Sequence, residues 1–373
     1  MPEGCRIHLT PLSLDVVERT GEAWRDLAAA AADPNPFFDP MMLEPAVRAF
    51  GSGGAELLTV RDGRRLIGLA PFQRAVRFGK FPSLHLSTYD FPHLYYGAPL
   101  VRAGEEDRFV DALYDWLDSA DGVDFLSLPL MRTASPVFRA MRARAEETGR
   151  DFETVGGFDR ALAWGGGCGA LRDAPAGSAL GKGSAKKLRA KRRKLAAQGE
   201  ARYEILRDAE EAQSWLDAFL RMERAGWKGV VGTAFSCDPR DEAFARDLID
   251  NAARAGRLRF ARLTVDGRTI ASSIDVFAGG CGFALKIAHD PAFDAYSPGV
   301  LLEQDNLADI EADPRAVWID SCAAPDHSVL NRLWTARTHL AHAVVGRDAM
   351  LAKLKMRTVF SIRRARRALS GAA

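Results

Sequence analysis

Two stretches of this sequence, ELLTVRDGRRLIGLAPFQ from Glu56 and FARLTVDGRTIASSIDVF from Phe260, carry a β-rich run, an Asp-Gly pair and a second apolar run in the same order. Asp-Gly at a tight connection is a strong hairpin signal, because a type I′ turn needs positive φ at both central residues. The flanking segments correspond as well, so the chain reads as one α/β unit written twice.

The later copy is the clearer. Ala201 to Arg207 alternates as a strand, and Asp208 with Glu211 opens a helix that buries Ala212, Trp215, Leu216, Phe219 and Met222. Asp238-Pro239 starts a second helix, stopped by Gly256. Strands over 258–265, 269–278 and 281–289 follow, then a helix from Pro298, a strand over 316–321 and a last helix over 329–344. The earlier copy predicts a strand at 6–10, helices at 14–30 and 39–49, and strands at 55–61, 65–76 and 93–100. A helix at 105–117, a strand at 123–128 and a helix from Pro136 complete it. At 373 residues two domains are the default. The expected division is 1–163, a Gly/Ala-rich connector at 164–183, a second domain at 184–346 with a basic leading helix, and a basic tail at 347–373.

Bulk properties exclude several classes. The 51 basic and 49 acidic side chains nearly cancel, so any nucleic-acid or membrane partner must be met by a local patch. Cysteines 5, 168, 237, 281 and 322 are odd in number and form no CxxC pair, which reads as a reducing compartment. With no secretory leader and no apolar run of membrane-spanning length, the expected location is cytoplasmic. Gly181-Lys182 lies in a glycine-rich run but is followed by Gly183, not Ser or Thr, so a nucleotide-hydrolysing phosphate loop is not expected.

The element order resembles the GNAT acyltransferase fold, and its doubling resembles the FemAB-like and CelD-like branch of that superfamily. The segments NPFFDPMMLEPAVRAFG from Asn35, DGRRLIGLAPF from Asp62, SAKKLRAKRRKLAAQG from Ser184 and YSPGVLLEQDNL from Tyr296 carry the resemblance. It implies two tandem α/β domains, each a mixed central sheet flanked by helices, the first structural or acceptor-binding and the second catalytic. It also implies transfer of an acyl group from acetyl-CoA or another acyl-CoA to an amine on a small molecule or an envelope precursor. The donor would lie between two splayed parallel strands, 281–289 and 316–321, against Lys286, Ile287 and Ala288. Its pyrophosphate would rest on the next helix start at Tyr296, Ser297, Pro298 and Gly299.

Ser297-Pro298-Gly299 also suits a phosphate on physical grounds: Ser caps, Pro presets the first helical residue, and Gly lets an anion approach the backbone N–H groups. The alternative is simply a well-made helix start. The segment HDPAFDAYSPG has one glycine and two acids where an acetyl-CoA loop is basic and glycine-rich, which keeps other donors in play. Asp320, at the carboxyl end of the second splayed strand, is the candidate for orienting or deprotonating an attacking amine. His327 is the candidate proton shuttle, with a helix-capping or surface histidine as its alternative. Asp275 and Lys286 interrupt apolar strands; they either face each other across the cleft, with Asp275 joining the catalytic group, or both turn to water. Cys322 reads as a buried thiol rather than a nucleophile. His339 and His342 lack a third ligand, so no metal is expected.

The basic run from Lys182 to Lys194 is the strongest charge anomaly, and Lys186, Arg189 and Arg193 are its candidate phosphate contacts. Its alternative is a solvated helix between domains. Trp227 serves either as an aromatic platform for an acceptor or as core. The tail permits contact with an anionic membrane surface. Two rival functions stand beside acyl-CoA transfer: aminoacyl transfer from tRNA through the basic helix, and a non-catalytic binding module using the same cleft.

Overall fold

A computed structural model describes residues 5–171, 181–327 and 329–370, without the side chains of Ala170 and 363–370. Most of the predicted connector, 172–180, and the last three residues of the tail lie outside the described residues. In chain order the first half gives β1 (Cys5–Pro11), α1 (Leu14–Ala29), α2 (Pro40–Phe50), β2 (Glu56–Asp62), β3 (Arg65–Phe78), β4 (Phe81–Thr88) and β5 (Leu100–Val101). Then come α3 (Glu106–Ser119), β6 (Phe125–Arg132), α4 (Pro136–Thr148) and β7 (Phe152–Trp164). The second half gives α5 (Lys182–Ala196), β8 (Ala201–Ile205), α6 (Ala212–Ala225), α7 (Trp227–Val230) and α8 (Pro239–Arg254). It continues with β9 (Leu258–Val265), β10 (Arg268–Ala278), β11 (Cys281–His289), α9 (Pro298–Ala312), β12 (Trp318–Asp320), α10 (Leu330–Leu333), β13 (Ala336–Gly346) and α11 (Met350–Ser370).

Contacts divide the chain into two units: residues 1–40, 50–158 and 339–373, and residues 41–49 and 159–338. Both are mixed sheets flanked by helices, and both use one strand plan. In the first unit β1, β2, β3 and β4 pair antiparallel in sequence, and β6 joins β4 in parallel through Leu86↔Leu126 and Ser87↔Ser127. In the second, β8, β9, β10 and β11 repeat the antiparallel series, and β12 joins β11 in parallel. This repeated topology is the physical form of the duplication read from the sequence.

Three segments differ from the sequence expectation. Residues 336–346 form a strand, not the end of a long helix: Leu340 and Val344 stand at helical spacing, but Leu340–Gly346 pairs antiparallel with β6. The domain division moves with it, because this strand completes the first unit's sheet. Likewise Leu162–Trp164 of β7, a strand not anticipated, pairs with β12 and completes the second sheet. The third strand of the first copy lies at Phe81–Thr88 rather than 93–100. The second Asp-Gly turn has positive φ at both Asp266 and Gly267, whereas in the first Asp62 still belongs to β2 and the turn falls on Gly63-Arg64.

Close packing fixes the helices on each sheet. A Cβ on Gly68 of β3 would stand 2.2 Å from Phe109 Cδ2, so α3 rests directly on that strand. In the second unit α5 buries Leu188 and Leu195 against Leu263, Ile270, Leu301 and Leu302, which lays the basic helix beside α9. The tail is a helix whose Met356, Val359 and Phe360 join Phe78, Phe125 and Val344 in a core cluster of the first unit. Among the described residues no helix is long and apolar enough to cross a membrane.

Candidate active site in the second unit

β11 and β12 are hydrogen-bonded over Cys281↔Trp318, Gly282↔Ile319 and Phe283↔Asp320. β11 then runs on to His289 while β12 ends, and Asp320 is the cause of that ending. Its Oδ1 accepts the Cys322 N–H at 2.8 Å, a side-chain turn that draws the chain out of the sheet, and Cys322 follows at φ +50°. The Asp320 side chain is fully buried, with Arg160 Nη1 of β7 3.6 Å from the same oxygen. Asp320 thus anchors the turn at the opening. Burial, then the Asp320 charge, pushes the Cys322 thiol well above its ordinary range, which leaves it unsuited to nucleophilic work.

The start of α9 stands beside the freed length of β11. A Cβ on Gly299 would lie 3.7 Å from both His289 Nδ1 and Ile287 Cδ1, ordinary contact that locates the helix terminus over these two strand residues. Ser297 does not cap the helix with its side chain as expected. It sits in the left-handed region at φ +54°, and its Oγ accepts from Lys191 Nζ of α5 at 2.5 Å. The N–H groups of Val300 and Leu301 donate to Ser297 C=O at 3.0 and 3.1 Å. The terminus thus combines the positive end of the helix dipole, an ammonium and a residue without a side chain. Tyr296 packs against Phe293 in the core beside it, ring centroids 6.1 Å apart.

Opposite this terminus, the ends of α6 and α7 meet the same strand. Met222, Glu223, Gly226, Trp227, Lys228, Ile287, Ala288 and His289 line a small cavity of ≈ 20 Å³. Glu223 is fully buried between two lysines, with Lys228 Nζ at 3.4 Å and Lys286 Nζ at 3.2 Å, and it accepts the Phe235 N–H at 2.9 Å. Lys228 also donates to Ile287 C=O at 2.6 Å, on the strand that a donor arm would follow. Burial depresses the Lys228 ammonium; Glu223 opposes that and Lys286 reinforces it. Lys286 stacks over Phe235 at 4.1 Å and donates to Thr233 C=O at 2.7 Å. Lys286, Ile287, Ala288 and Trp227 thus come together, and Trp227 is 62% exposed rather than core.

His327 adjoins this cluster closely enough for the Lys228 charge to act on it; burial is the larger cause of its depressed pKa. Its Nδ1 accepts the Leu330 N–H at 3.2 Å and so caps α10. In the neutral ring the proton then resides on Nε2, so the imidazole presents a donor where the sequence suggested a shuttle.

Asp275 and Lys286 belong to different groups of contacts. Asp275 pairs with Arg259 at 3.0 Å in a buried network with Tyr203, Ser273, Glu303, Asn306 and Asp309. Asn306 uses all four of its hydrogen-bonding positions there, to Ser273, Glu303, Tyr203 and Arg259. Burial raises Asp275 to about 6 and Glu303 to about 7. This network joins α9 to β8, β9 and β10 and gives Asp275 a structural partner. Lys186, Arg189 and Arg193 are exposed on α5, whereas Lys191 and Arg192 of the same helix engage α9, Arg192 through Asp305 at 2.8 Å.

Sequence reasoning missed Glu223, Lys228 and the role of Lys191. The signal for Glu223 was available: four residues after Phe219, it falls on the apolar face of α6, where a lone carboxylate requires partners. Among the described residues no group of three or more His, Cys, Asp or Glu side chains is placed to hold a metal ion.

Residues 182–324, which contain this site apart from Arg160 and His327, match a family model described as an acetyltransferase (GNAT) domain. No curated protein matches the chain. A conserved protein of unknown function from Bacteroides thetaiotaomicron VPI-5482 has a TM-score of 0.55 at 12% identity, covering 91% of this chain and 100% of that one. The C-terminal domain of a putative lysylphosphatidylglycerol synthetase from Agrobacterium fabrum has a TM-score of 0.50 at 12% identity, covering 91% and 95%. At these identities the likeness is one of fold.

Proposed function

Proceeding from residues 182–324 as an acetyltransferase domain of the GNAT family, we propose that this chain moves an acyl group from a coenzyme A-type thioester to an amine acceptor. The observation that carries the reading is the parting of β11 from β12 beside an electropositive helix terminus. The donor's phosphates are held by the α9 terminus at Gly299 and by Lys191. Its acyl arm follows Ile287 and Ala288, with Lys228 releasing the Ile287 carbonyl to admit it. The acceptor approaches from the side of Trp227, whose exposed ring offers it an apolar face. In keeping with the FemAB-like and CelD-like resemblance, that acceptor is an amine on an envelope or polysaccharide building block.

Lys228 is assigned the proton, because its Nζ reaches Ile287 C=O on the freed strand and burial depresses its ammonium, which eases loss of a proton. The acceptor nitrogen bonds to the thioester carbonyl carbon and gives a proton to Lys228 Nζ. The carbon–sulfur bond breaks, and the thiolate leaves with that proton. Backbone N–H groups of the freed strand and His327 Nε2–H stabilise the charge on the carbonyl oxygen. Asp320 contributes by holding the cleft open, and Asp275 by fixing α9 to the sheet.

One observation favours a second donor. Lys186, Arg189 and Arg193 are exposed on the helix whose Lys191 reaches the α9 terminus, a surface fit for the phosphates of aminoacyl-tRNA. Thermal-shift measurements with coenzyme A, several acyl-CoAs and aminoacyl-tRNA separate the readings, since a ligand preferring the native state raises Tm. A shift with a thioester, together with a loss of turnover of about 100-fold or more in Lys228→Met at a temperature where its melt shows it folded, is the expected result. A salt-sensitive shift with aminoacyl-tRNA alone selects the second donor. No shift and no turnover with any of them removes the catalytic reading in favour of a binding module, whereas full turnover in Lys228→Met removes Lys228 from the proton transfer.

A further inference from the structure

The first unit holds a larger cavity, ≈ 350 Å³, that the acyl-transfer reading does not use. It lies on the sheet face carrying Phe78, Phe125 and Val344, beyond the point where α11 covers that face. Its floor follows the strand register. Gln73 of β3 stands beside Ser87 of β4, and Ser87 beside Ser127 of β6. One register position along, His85 stands two residues from Ser87 on the same face. The register of β6 and β13 shifts here: Met131 and Leu128 stand opposite Ala341 and Ala343, so Pro129 and Leu130 of β6 face the single residue His342. His342, two residues from the Val344 that pairs with Ser127, lies over the floor, its Nε2 2.7 Å from Ser127 Oγ.

The floor is not an ordinary wet sheet face. His85 is only 3% exposed and Ser127 2%, so polar groups have been sunk beneath the cavity where apolar side chains would pack more favourably. Gln73 and Ser87 make no hydrogen bond to another described side chain, which leaves an amide and a hydroxyl available to a ligand. Ala75 and Pro129 supply apolar wall. The volume is within the range of small-molecule sites.

The charges select the ligand class. Arg77 and Asp90, both exposed at the rim, cancel formally. His85 Nδ1 lies 3.1 Å from Ser83 C=O, to which it can only donate, so the neutral ring keeps Nε2 as an acceptor. An anion would meet Asp90 and a cation would meet Arg77. A neutral ligand with several hydroxyl groups meets donors and acceptors in alternation, and the planar ends of Gln73, Asp90 and Arg77 can each bridge neighbouring hydroxyls. We propose that this cavity is a binding site for a neutral, hydroxyl-rich small molecule of saccharide size, built on Gln73, His85, Ser87 and Ser127.

Ligand-observed NMR and calorimetry on the full-length protein test the site, using a panel of neutral mono- and disaccharides, N-acetylated sugars and inositol beside inorganic phosphate. The expected result is binding of at least one neutral member, weakened at least about tenfold by both Gln73→Ala and Ser87→Val. Thermal melts establish that each variant is folded, and an unchanged thioester-induced Tm shift separates this site from the second unit. Should either substitution unfold the protein, the other decides. Binding of phosphate but no sugar, binding of none of the panel, or sugar binding indifferent to both substitutions overturns the proposal.

Discussion

The two carboxyls buried under α9 make stability depend on pH in an unusual direction. Burial is the chief reason that Asp275 titrates near 6 and Glu303 near 7 against ordinary values of 3.8 and 4.5, and Asp275 adds to the rise at Glu303. Both groups hold protons in the folded state at pH values where the unfolded chain has lost them. Their contribution to stability is complete below about pH 4 and is lost as pH rises through 6 to 7. Glu303→Gln keeps an oxygen for the Asn306 amide, 3.0 Å away in the native protein, without a carboxyl to ionise. The variant should show a flatter Tm profile between pH 5 and 8 and equal or greater stability at pH 8, by an amount on the order of 1–3 kcal/mol. Identical profiles for the two proteins would show that Glu303 is not the group responsible.

At the level of elements, α9 tests whether its terminus binds the donor. A methyl group at Gly299 meets its nearest neighbours at 3.7 Å, so Gly299→Ala fits without displacing His289 or Ile287 and replaces glycine by a better helix former. Folding should be unaffected or slightly improved, while donor affinity falls about tenfold because the methyl group crowds the phosphate's approach to the α9 terminus. Calorimetric titration of the donor into both proteins measures this; equal affinities would place the phosphates elsewhere. The start of α9 and the β10–β11 hairpin were legible because Pro298-Gly299 and the Gly279-Gly280 turn are local signals, each confined to adjacent residues. Glu223 and Lys228 were not, and Lys286 was singled out without them, since α6, α7 and β11 bring the three together only after folding. For Asp320 the position at a strand end was visible, whereas its turn to Cys322 and its ion pair with Arg160 depend on φ at Cys322 and on β7. β13 was misread because Leu340 and Val344 satisfy helical spacing as well as they satisfy a strand.

For the molecule as a whole, the connector is a poor place to divide it. Residues 339–346 complete the sheet of the first unit, and residues 159–164 that of the second. Fragments 1–171 and 181–373 expressed apart should therefore be unfolded or aggregated, each lacking a strand beside its parallel pair. Coexpression should recover soluble material that copurifies. A monomeric, cooperatively melting 181–373 would show that the second sheet does not need Leu162–Trp164.

The same interchange reverses the usual order of biosynthesis, in which the leading portion of a chain settles first. By residue 338 every strand of the trailing unit has emerged, whereas the leading unit still awaits β13. Until translation is nearly finished, β6 presents an unsatisfied backbone edge to the cell. Nascent chains in which residue 338 has just cleared the ribosome should consequently carry a finished second unit and an unfinished first one.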